Sequence, residues 1–363
     1  MSEIPQESRP WPRRVVAGSV ALIVALVALL VMSFLPTDYV LQRTGPVYNT
    51  IGTVEDAAGE DVPLIEVPDD EAHETSGSLS LTTVEVVGNR EHPLSWIELA
   101  SAWFDRARAI IPIDAVFPEG QTSEQRDAQN QAAMTDSQSE AEAAALRLLG
   151  YDVPADIRVV SLTEGSPSEG AVHEGDLIRA VDGEPVEDVA ELRAAIAASD
   201  GGSVALTLER DGEQTDASVD PEQLDDGSWA IGALLSVSYV NPIDIAIQLN
   251  DVGGPSAGTM FALGIIDTLT PGEMTGGAHI AGTGTITAEG EVGPIGGIRQ
   301  KLYGASGAGS EFFLAPAANC DEVVGHVPSG LQVVKIETLD DAVAAVEAIA
   351  EGEESDLPSC ATT

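Results

Sequence analysis

The longest hydrophobic run in the chain lies close to its N-terminus. Residues 15–35 are 21 positions without a charge, almost all of them Val, Ala, Leu or Ile. At 1.5 Å per residue a helix of this length spans roughly 30 Å, the thickness of a bilayer core. A cleaved signal peptide is the alternative, but its apolar run is usually only ~7–15 residues long, and no small-x-small site follows here. The pattern therefore predicts a transmembrane helix.

The charges on either side of this run predict its orientation. Arg9, Arg13 and Arg14 precede it, whereas Asp38 and a strongly acidic chain follow it. The positive-inside rule then keeps residues 1–14 in the cytoplasm. We expect a single-pass protein of the cell membrane in which everything after about Thr37 is extracytoplasmic.

Shorter patterns follow in residues 36–150, which we predict to be an N-terminal extracytoplasmic region. The acidic stretch 55–77 is typical of a linker, and the alternation over 78–86 predicts a strand. Residues 94–111 predict an amphipathic helix with four large side chains in the core: Trp96, Leu99, Trp103 and Phe104.

Two capping-box patterns come next in this region. Thr122 with Gln125 and Ser137 with Glu140 predict separate helices over 123–134 and 138–149, the second ending at Gly150. No residue between 36 and 150 suggests chemistry.

From about residue 155 to 220 the pattern changes to strands and one helix, the latter capped by Asp188 with Glu191. Three short motifs, listed from N- to C-terminus, resemble bacterial protease-associated PDZ domains: Ser166-Pro167-Ser168, Gly175-Asp176-Leu177-Ile178 and Val181-Asp182-Gly183. The resemblance covers about 70 residues and implies a PDZ domain over 151–222. Such a domain holds a C-terminal peptide as an added strand and binds its carboxylate with backbone amides. The loop Leu149-Gly150-Tyr151 is one candidate for those amides; alternatively, Gly150 only ends a helix.

Residues 228–352 alternate between strand-like and helix-like patterns, which predicts an α/β domain. Within it, Gly254-Pro255-Ser256-Ala257-Gly258 breaks the chain just before an apolar helical run. Ser256 is thus expected at a helix N-terminus, where free N–H groups and the helix dipole can stabilise an oxyanion. Taken alone, this turn could equally be an N-cap or a phosphate-binding loop.

The scarcity of lysine adds a second observation. The chain has only two lysines, and Lys301 follows Gly296-Gly297, whereas Lys335 has no glycine-rich context. A lysine held neutral in an apolar pocket can remove the proton of a serine hydroxyl. Ser256 and Lys301 are therefore candidates for a Ser-Lys pair.

Three ordered motifs resemble the proteolytic domain of Lon-type (S16) peptidases. They are GPSAG at residues 254–258, TGTIT at 283–287 and PIGGIRQKL at 294–302. The resemblance implies Ser256 as nucleophile, Lys301 as general base and Thr283 as the threonine beside this dyad. One position departs from the family pattern, since many Lon domains carry an acidic residue where this chain has Gly253; Asp251 lies nearby.

Taken together, the chain resembles the membrane-anchored PDZ-Lon proteins of bacteria over nearly its whole length. The resemblance implies a mixed α/β (α+β) multidomain protein: the anchor at 15–35, the β-rich PDZ domain at 151–222, the Lon domain at 228–352 with the ribosomal protein S5 domain 2-like fold, and a tail at 353–363. It implies a serine endopeptidase that cleaves extracytoplasmic proteins. A Ser-His-Asp hydrolase using His279 and a non-catalytic peptide-binding scaffold are the alternatives.

The composition of the chain limits the classes of partner and cofactor that it is expected to bind. A formal charge of −44 makes nucleic acid and anionic lipid surfaces unlikely partners. Neither lysine lies in a GxxxxGK[ST] loop, so we expect no dependence on ATP, and the five scattered histidines predict no metal or other cofactor. Cys320 and Cys360 either form one disulfide in the exported part or are unrelated thiols. The sequence leaves open whether copies of the chain assemble into a homo-oligomer.

Overall fold

The computed structural model describes residues 13–56, 58–118, 120–224, 226–249 and 252–360. Its first element is the helix α1, Arg13–Phe34, which by length and composition is able to cross a membrane. The predicted apolar helix over 15–35 is therefore present. Arg9 and most of the predicted cytoplasmic segment 1–14 lie outside the described residues, as do Asp251 and the last three residues of the tail.

Twenty strands are found in the described residues. In chain order they are β1 Tyr39–Asn49, β2 Thr53–Glu55, β3 Asp61–Pro63, β4 Ile65–Glu66, β5 Ser78–Val87, β6 Ala109–Pro112, β7 Ala155–Leu162, β8 Leu177–Val181, β9 Glu184–Pro185, β10 Val204–Arg210, β11 Glu213–Val219, β12 Glu222–Gln223, β13 Trp229–Ala230, β14 Ala233–Tyr239, β15 Ala246–Ile247, β16 His279–Gly282, β17 Thr285–Ile286, β18 Val292–Gly293, β19 Phe312–Pro316 and β20 Gln332–Ile336.

Eight further α-helices are found in the same residues. They are α2 Trp96–Ala102, α3 Ile113–Val116, α4 Ser123–Leu148, α5 Val189–Ala198, α6 Gly258–Leu269, α7 Ile298–Gly307, α8 Cys320–Val323 and α9 Leu339–Glu351. Two short 3-10 helices are also present, at Ala317–Asn319 and Glu354–Asp356.

The catalytic-domain candidate is built around a six-stranded mixed sheet with the order β20-β19-β16-β5-β1-β6. Strand β16 pairs in parallel with β5, with Ile280 opposite Leu79 and Gly282 opposite Leu81. The strand predicted over 78–86 is thus part of the same sheet as the strands after residue 279. The predicted boundaries 36–150 and 228–352 consequently divide one folded unit, because local patterns contain no information about which distant strands pair.

The second sheet contains the PDZ elements in the order β11-β10-β8-β7-β14. Its core is formed by buried aliphatic residues of these strands and of α5, including Ile178, Leu192 and Leu206. Strand β14 lies beyond the predicted domain end at residue 222, yet it pairs antiparallel with β7, with Val237 opposite Ile157. The PDZ fold is therefore interposed in the chain between α4 and the residues that lead to Ser256.

Two helix predictions in the N-terminal region are wrong. The predicted helices 123–134 and 138–149 are one continuous helix, α4, because Ser137 is buried in its middle instead of capping a new helix. The predicted helix 94–111 is only the short α2, followed by β6, which pairs with β1. Leu99 is buried as predicted, but Trp96, Trp103 and Phe104 are 43%, 81% and 93% exposed, so these three aromatics are not core residues.

The end of α4 decides between the two interpretations of Gly150. Gly150 has φ 87° and donates to the Arg147 carbonyl at 2.9 Å, while Tyr151 donates to the Leu146 carbonyl at 3.0 Å. This is a Schellman helix end. Leu149 donates to the Ala145 carbonyl, so all three amides of this loop are already bonded and cannot bind a carboxylate.

The disulfide predicted as one of two alternatives is present. Cys320 and Cys360 are bonded, with a Cα–Cα distance of 5.0 Å, and Cys360 packs against the apolar cluster beneath α7 and β19. The bridge attaches the C-terminal tail to α8, which follows strand β19 of the six-stranded sheet.

Candidate active site

Ser256 lies in the turn that leads into α6. This helix is apolar on all sides and is buried from Gly258 to Asp267, so its N-terminus is held rigidly in the core. The N–H groups of Ser256 and Ala257 make no hydrogen bond within the described part of the chain. They lie at the positive end of the helix dipole, where they can stabilise negative charge.

The carbonyl of Ser256 is held from the opposite side by the segment that follows β16. It accepts hydrogen bonds from the Gly284 amide at 3.0 Å and from the Thr283 hydroxyl at 2.8 Å. A Cβ at Gly284 would lie 2.4 Å from Thr259 Oγ1, so glycine permits this close approach. The TGTIT motif therefore fixes the backbone of the serine.

Lys301 reaches the serine from the first turn of α7. Its Nζ lies 2.7 Å from Ser256 Oγ and 2.8 Å from Thr283 Oγ1. The lysine is only 1% exposed, and burial lowers the pKa of its amine to about 7. An amine with this pKa is largely neutral in mildly alkaline water and can accept a proton.

Gly297, the residue before α7, allows this helix to lie close to the sheet. Gly297 is left-handed, with φ 72°, and a Cβ there would lie 2.8 Å from Gln42 Nε2 and 2.9 Å from Val84 Cγ1. Only a residue without a side chain fits between α7 and the strands β1 and β5. The PIGGIRQKL motif thereby packs the helix closely against the sheet.

The hydrogen-bond directions around Thr283 assign the proton of each group. Because the Thr283 hydroxyl donates to the Ser256 carbonyl, its oxygen accepts from Lys301. A neutral lysine amine has one lone pair, which is then available to the Ser256 hydroxyl 2.7 Å away. A hydroxyl beside a neutral amine at this distance can lose its proton to that amine.

A second set of contacts, from α4, holds the turn before the serine. The Gly254 amide donates to the Asn130 carbonyl at 2.8 Å, and the Ser137 hydroxyl donates to the Pro255 carbonyl at 3.0 Å. A Cβ at Gly253 would lie 2.8 Å from Asn130 Cβ. Gly253 is therefore a packing residue here, and sequence reasoning did not find its partners on α4.

The structure brings together Ser256, Lys301 and Thr283, as predicted from the motifs, but it places His279 elsewhere. His279 is on β16, where its Nδ1 lies 3.1 Å from Ser78 Oγ. The group bonded to Ser256 Oγ is the Lys301 amine. The geometry favours the Ser-Lys pair over the triad with His279.

A cavity of about 290 Å³ opens beside Ser256. Its walls come from β1, β5, α4 and the turn. Apolar side chains line it together with three polar ones, and the set is Pro46, Tyr48, Val84, Met134 and Val252 with Thr82, Thr83 and Glu85. The cavity is large enough for a side chain of a bound polypeptide.

The PDZ domain contains a second polar arrangement, which sequence reasoning missed. The Ile231 carbonyl accepts from the Ser166 and Ser168 hydroxyls at 3.2 and 2.6 Å, and the Gly232 carbonyl accepts from the Thr163 amide at 2.9 Å. The Ile231 carbonyl shares its peptide unit with the Gly232 amide, so that amide points away from the two serines. Neither the Gly232 amide nor the Ile231 amide has a hydrogen-bond partner among the described residues. The only sequence signal was the glycine before the alternating run of β14.

Comparisons with known proteins identify both domains. Residues 249–348 match the Lon protease (S16) C-terminal proteolytic domain, and residues 126–220 match the PDZ domain. The chain therefore contains a serine-peptidase domain of the Lon type and a PDZ domain, and both predicted resemblances are confirmed.

The curated relatives match the Lon-type domain. Lon protease 1 of Sorangium cellulosum is 40% identical over 94 residues, which are 25% of this chain and 11% of the relative. Lon protease 2 of Herpetosiphon aurantiacus is 39% identical over 106 residues, which are 27% of this chain and 13% of the relative. This chain thus spans only a small part of the length of these relatives. Among solved structures, the PDZ domain of the SdrC-like protein from Listeria innocua is 27% identical; the match covers 22% of this chain and 92% of that domain, with a TM-score of 0.21.

Proposed function

We propose that the chain is a membrane-anchored, ATP-independent serine endopeptidase that hydrolyses peptide bonds of extracytoplasmic proteins. The observation that carries this proposal is the 2.7 Å contact between Ser256 Oγ and the Nζ of Lys301, a lysine that is 1% exposed. Ser256 is the nucleophile, Lys301 the general base, and Thr283 the residue that positions the lysine.

The reaction follows from the positions of these groups. Ser256 Oγ attacks the substrate carbonyl carbon while its proton passes to the neutral Lys301 amine. The resulting oxyanion is stabilised by the Ser256 and Ala257 amides at the start of α6. The C–N bond then breaks, Lys301 returns the proton to the leaving amine, and an ester on Ser256 remains. Water then attacks this ester while Lys301 takes a proton from the water. The C–O bond to Ser256 breaks, Lys301 returns the proton to Ser256 Oγ, and the second product leaves.

The anchor is α1. It is a 22-residue helix without an acidic residue, and its side chains pack against little of the remaining chain. Arginines on its N-terminal side and acidic residues on its C-terminal side favour a cytoplasmic N-terminus and an extracytoplasmic catalytic domain. Because neither lysine of the chain lies in a nucleotide-binding loop, we expect substrates that need no active unfolding, such as flexible tails.

The PDZ domain binds C-terminal peptides on β14. This strand is at the end of its sheet, and its outer edge has no strand partner among the described residues. A peptide can add to that edge, beside α5, with its carboxylate on the Ile231 and Gly232 amides. Such a peptide is a substrate or a regulator.

The test is cleavage of an unfolded, fluorescently labelled protein by the full chain in phospholipid nanodiscs without ATP. We expect Ser256→Ala and Lys301→Ala each to lower the rate by about 10³-fold or more. Lys335→Ala is the matched control, because Lys335 is the other lysine of the chain and is half-buried and paired with Glu337. Full activity in Lys301→Ala would exclude the Ser-Lys assignment. A folded wild type that binds C-terminal peptides but never cleaves would support the scaffold instead.

A further inference from the structure

The short helix α2 and the turn after it present an aromatic face to solvent. Trp96, Ile97, Trp103 and Phe104 are at helical spacing, and we call these four residues the interfacial face. Trp103 is 81% and Phe104 93% exposed, more than any other large hydrophobic residue beyond Leu35 in the described part of the chain. The opposite side of α2 is already packed, with Leu99 and Ala102 buried against Leu41 and Leu94.

The interfacial face lies at the point where the chain leaves α1. Helices α1 and α2 are in contact, and Pro36 forms a bridge with Ser95, the residue that caps α2. Thr37 donates to the Leu94 carbonyl from both its amide and its hydroxyl, at 2.9 and 3.0 Å. The aromatic side chains are thus fixed close to the C-terminal end of the apolar helix.

The length of α1 places this junction relative to a bilayer. The apolar run ends at Leu35, and its roughly 30 Å match the hydrocarbon thickness, so the next residues lie at the level of the lipid headgroups. Tryptophan is enriched at that level because its ring is largely apolar and its N–H needs a polar partner. Two of the four tryptophans of the chain belong to the interfacial face.

We propose that the interfacial face inserts into the outer leaflet of the membrane that α1 spans, as a second attachment of the catalytic domain. The inference rests on the proposed anchor. Net charge cannot provide this contact, because a chain of charge −44 is repelled by anionic headgroups. The aromatic rings are the remaining source of affinity, so the contact forms on zwitterionic lipid and does not weaken when salt is raised.

The second attachment restrains the orientation of the active site. A single helix followed by one strand would let the catalytic domain tilt against the membrane. Because α2 packs on β1 and β6, insertion of its outer side fixes the edge of the catalytic sheet at the lipid surface. Strand β1 continues from this edge to Tyr48 in the wall of the cavity beside Ser256. The cavity is therefore held at a fixed orientation to the membrane.

The test is tryptophan quenching in liposomes of phosphatidylcholine with bromine on the acyl chains. The full chain is prepared with Trp11, Trp96 and Trp229 replaced by Phe, so that Trp103 is the only fluorophore. We expect its emission to be blue-shifted and quenched about twofold by brominated lipid, and shielded from aqueous iodide. The matched control keeps only Trp229, which lies in the PDZ domain and is expected to show no quenching by lipid.

The possible results of this experiment distinguish a failure of the interfacial face from a failure of the α1 anchor. Extraction of the chain from the liposomes by alkaline carbonate would show that α1 is not an anchor. A chain that stays in the liposomes while Trp103 is quenched by iodide and not by brominated lipid would overturn the interfacial face alone. A blue-shifted Trp103 that neither agent quenches would indicate a contact with a second copy, which also overturns it. A Phe104→Trp variant as sole fluorophore repeats the measurement at the neighbouring position.

Discussion

Ser137 on α4 donates a hydrogen bond of 3.0 Å to the carbonyl of Pro255, one residue before the nucleophile. The carbonyl and amide of a peptide unit point in opposite directions, because the unit is planar and trans. Holding the Pro255 carbonyl towards α4 therefore directs the Ser256 amide away from α4, towards the site of the oxyanion. We therefore propose that Ser137 positions that amide.

Replacing Ser137 by Ala tests this role. Loss of one buried hydrogen bond of about 1–1.5 kcal/mol should lower kcat about tenfold, with little change in KM, because the amide matters most in the transition state. The kcat and KM of a peptide substrate provide the measurement. Asp136→Ala, an exposed change on the same helix, serves as control. A fall in melting temperature with unchanged kcat would mean that Ser137 is only structural.

Thr283→Val should disable Lys301 without removing it. Valine has nearly the shape of threonine but makes neither the bond to the Ser256 carbonyl nor the one to the lysine amine. A lysine free to turn away from Ser256 should cost about 10²-fold in kcat. Thr283→Ser keeps the hydroxyl and should restore most of the rate. Equal rates for Thr283→Val and wild type would refute the positioning role.

Gly232→Ala should weaken the binding of C-terminal peptides. Gly232 has φ 67°, and a Cβ there would lie 2.6 Å from Ser166 Oγ, so the loop has to shift and its amides move. We expect the Kd of a fluorescent peptide with a free C-terminus to rise about tenfold or more. Gly212→Ala imposes a similar left-handed strain in the β10–β11 turn without a close contact, and it should leave the Kd unchanged. An amidated peptide that binds as tightly as the free acid would contradict the carboxylate site.

The Cys320–Cys360 disulfide should stabilise the catalytic domain. It closes a loop across 40 residues, for which removal typically costs about 2–4 kcal/mol. Urea unfolding followed by circular dichroism should therefore show a lower midpoint for Cys320→Ala/Cys360→Ala. Reductant should bring the wild type to the same midpoint and leave the double variant unaffected. Resistance of the wild-type midpoint to full reduction would argue that the bridge contributes nothing.

The sequence predicted well those elements whose structure depends only on residues close to them along the chain. The apolar run of α1 and the glycine-bounded turn at Ser256 are examples, because chain length and backbone freedom decide them. The pairing of β5 with β16 was not predictable, since it joins residues 201 positions apart, such as Ser78 and His279. The contact of Ser137 with Pro255 was missed for the same reason, and a capping-box pattern at Ser137 even suggested a helix start.

The aromatic residues after Leu99 show a different limit. Periodicity identifies an apolar face, but it does not distinguish a face that meets protein from one that meets lipid or solvent. Trp103 and Phe104 fit a core pattern and are nevertheless exposed. The orientation of the Gly232 amide was missed because it depends on side chains 60 to 70 residues away, Ser166 and Ser168, which hold the Ile231 carbonyl of the same peptide unit.

The central claim is that a neutral Lys301 activates Ser256, and the dependence of kcat/KM on pH tests it most directly. This profile reports the pKa of the free enzyme's catalytic base. Burial lowers the pKa of Lys301 to about 7, and the lysine must lose its proton before it can accept one from Ser256. Activity should therefore rise with pH along a limb whose midpoint is about 7. A flat profile across neutral pH, or a limb at the ordinary lysine pKa of about 10.4, would contradict the account.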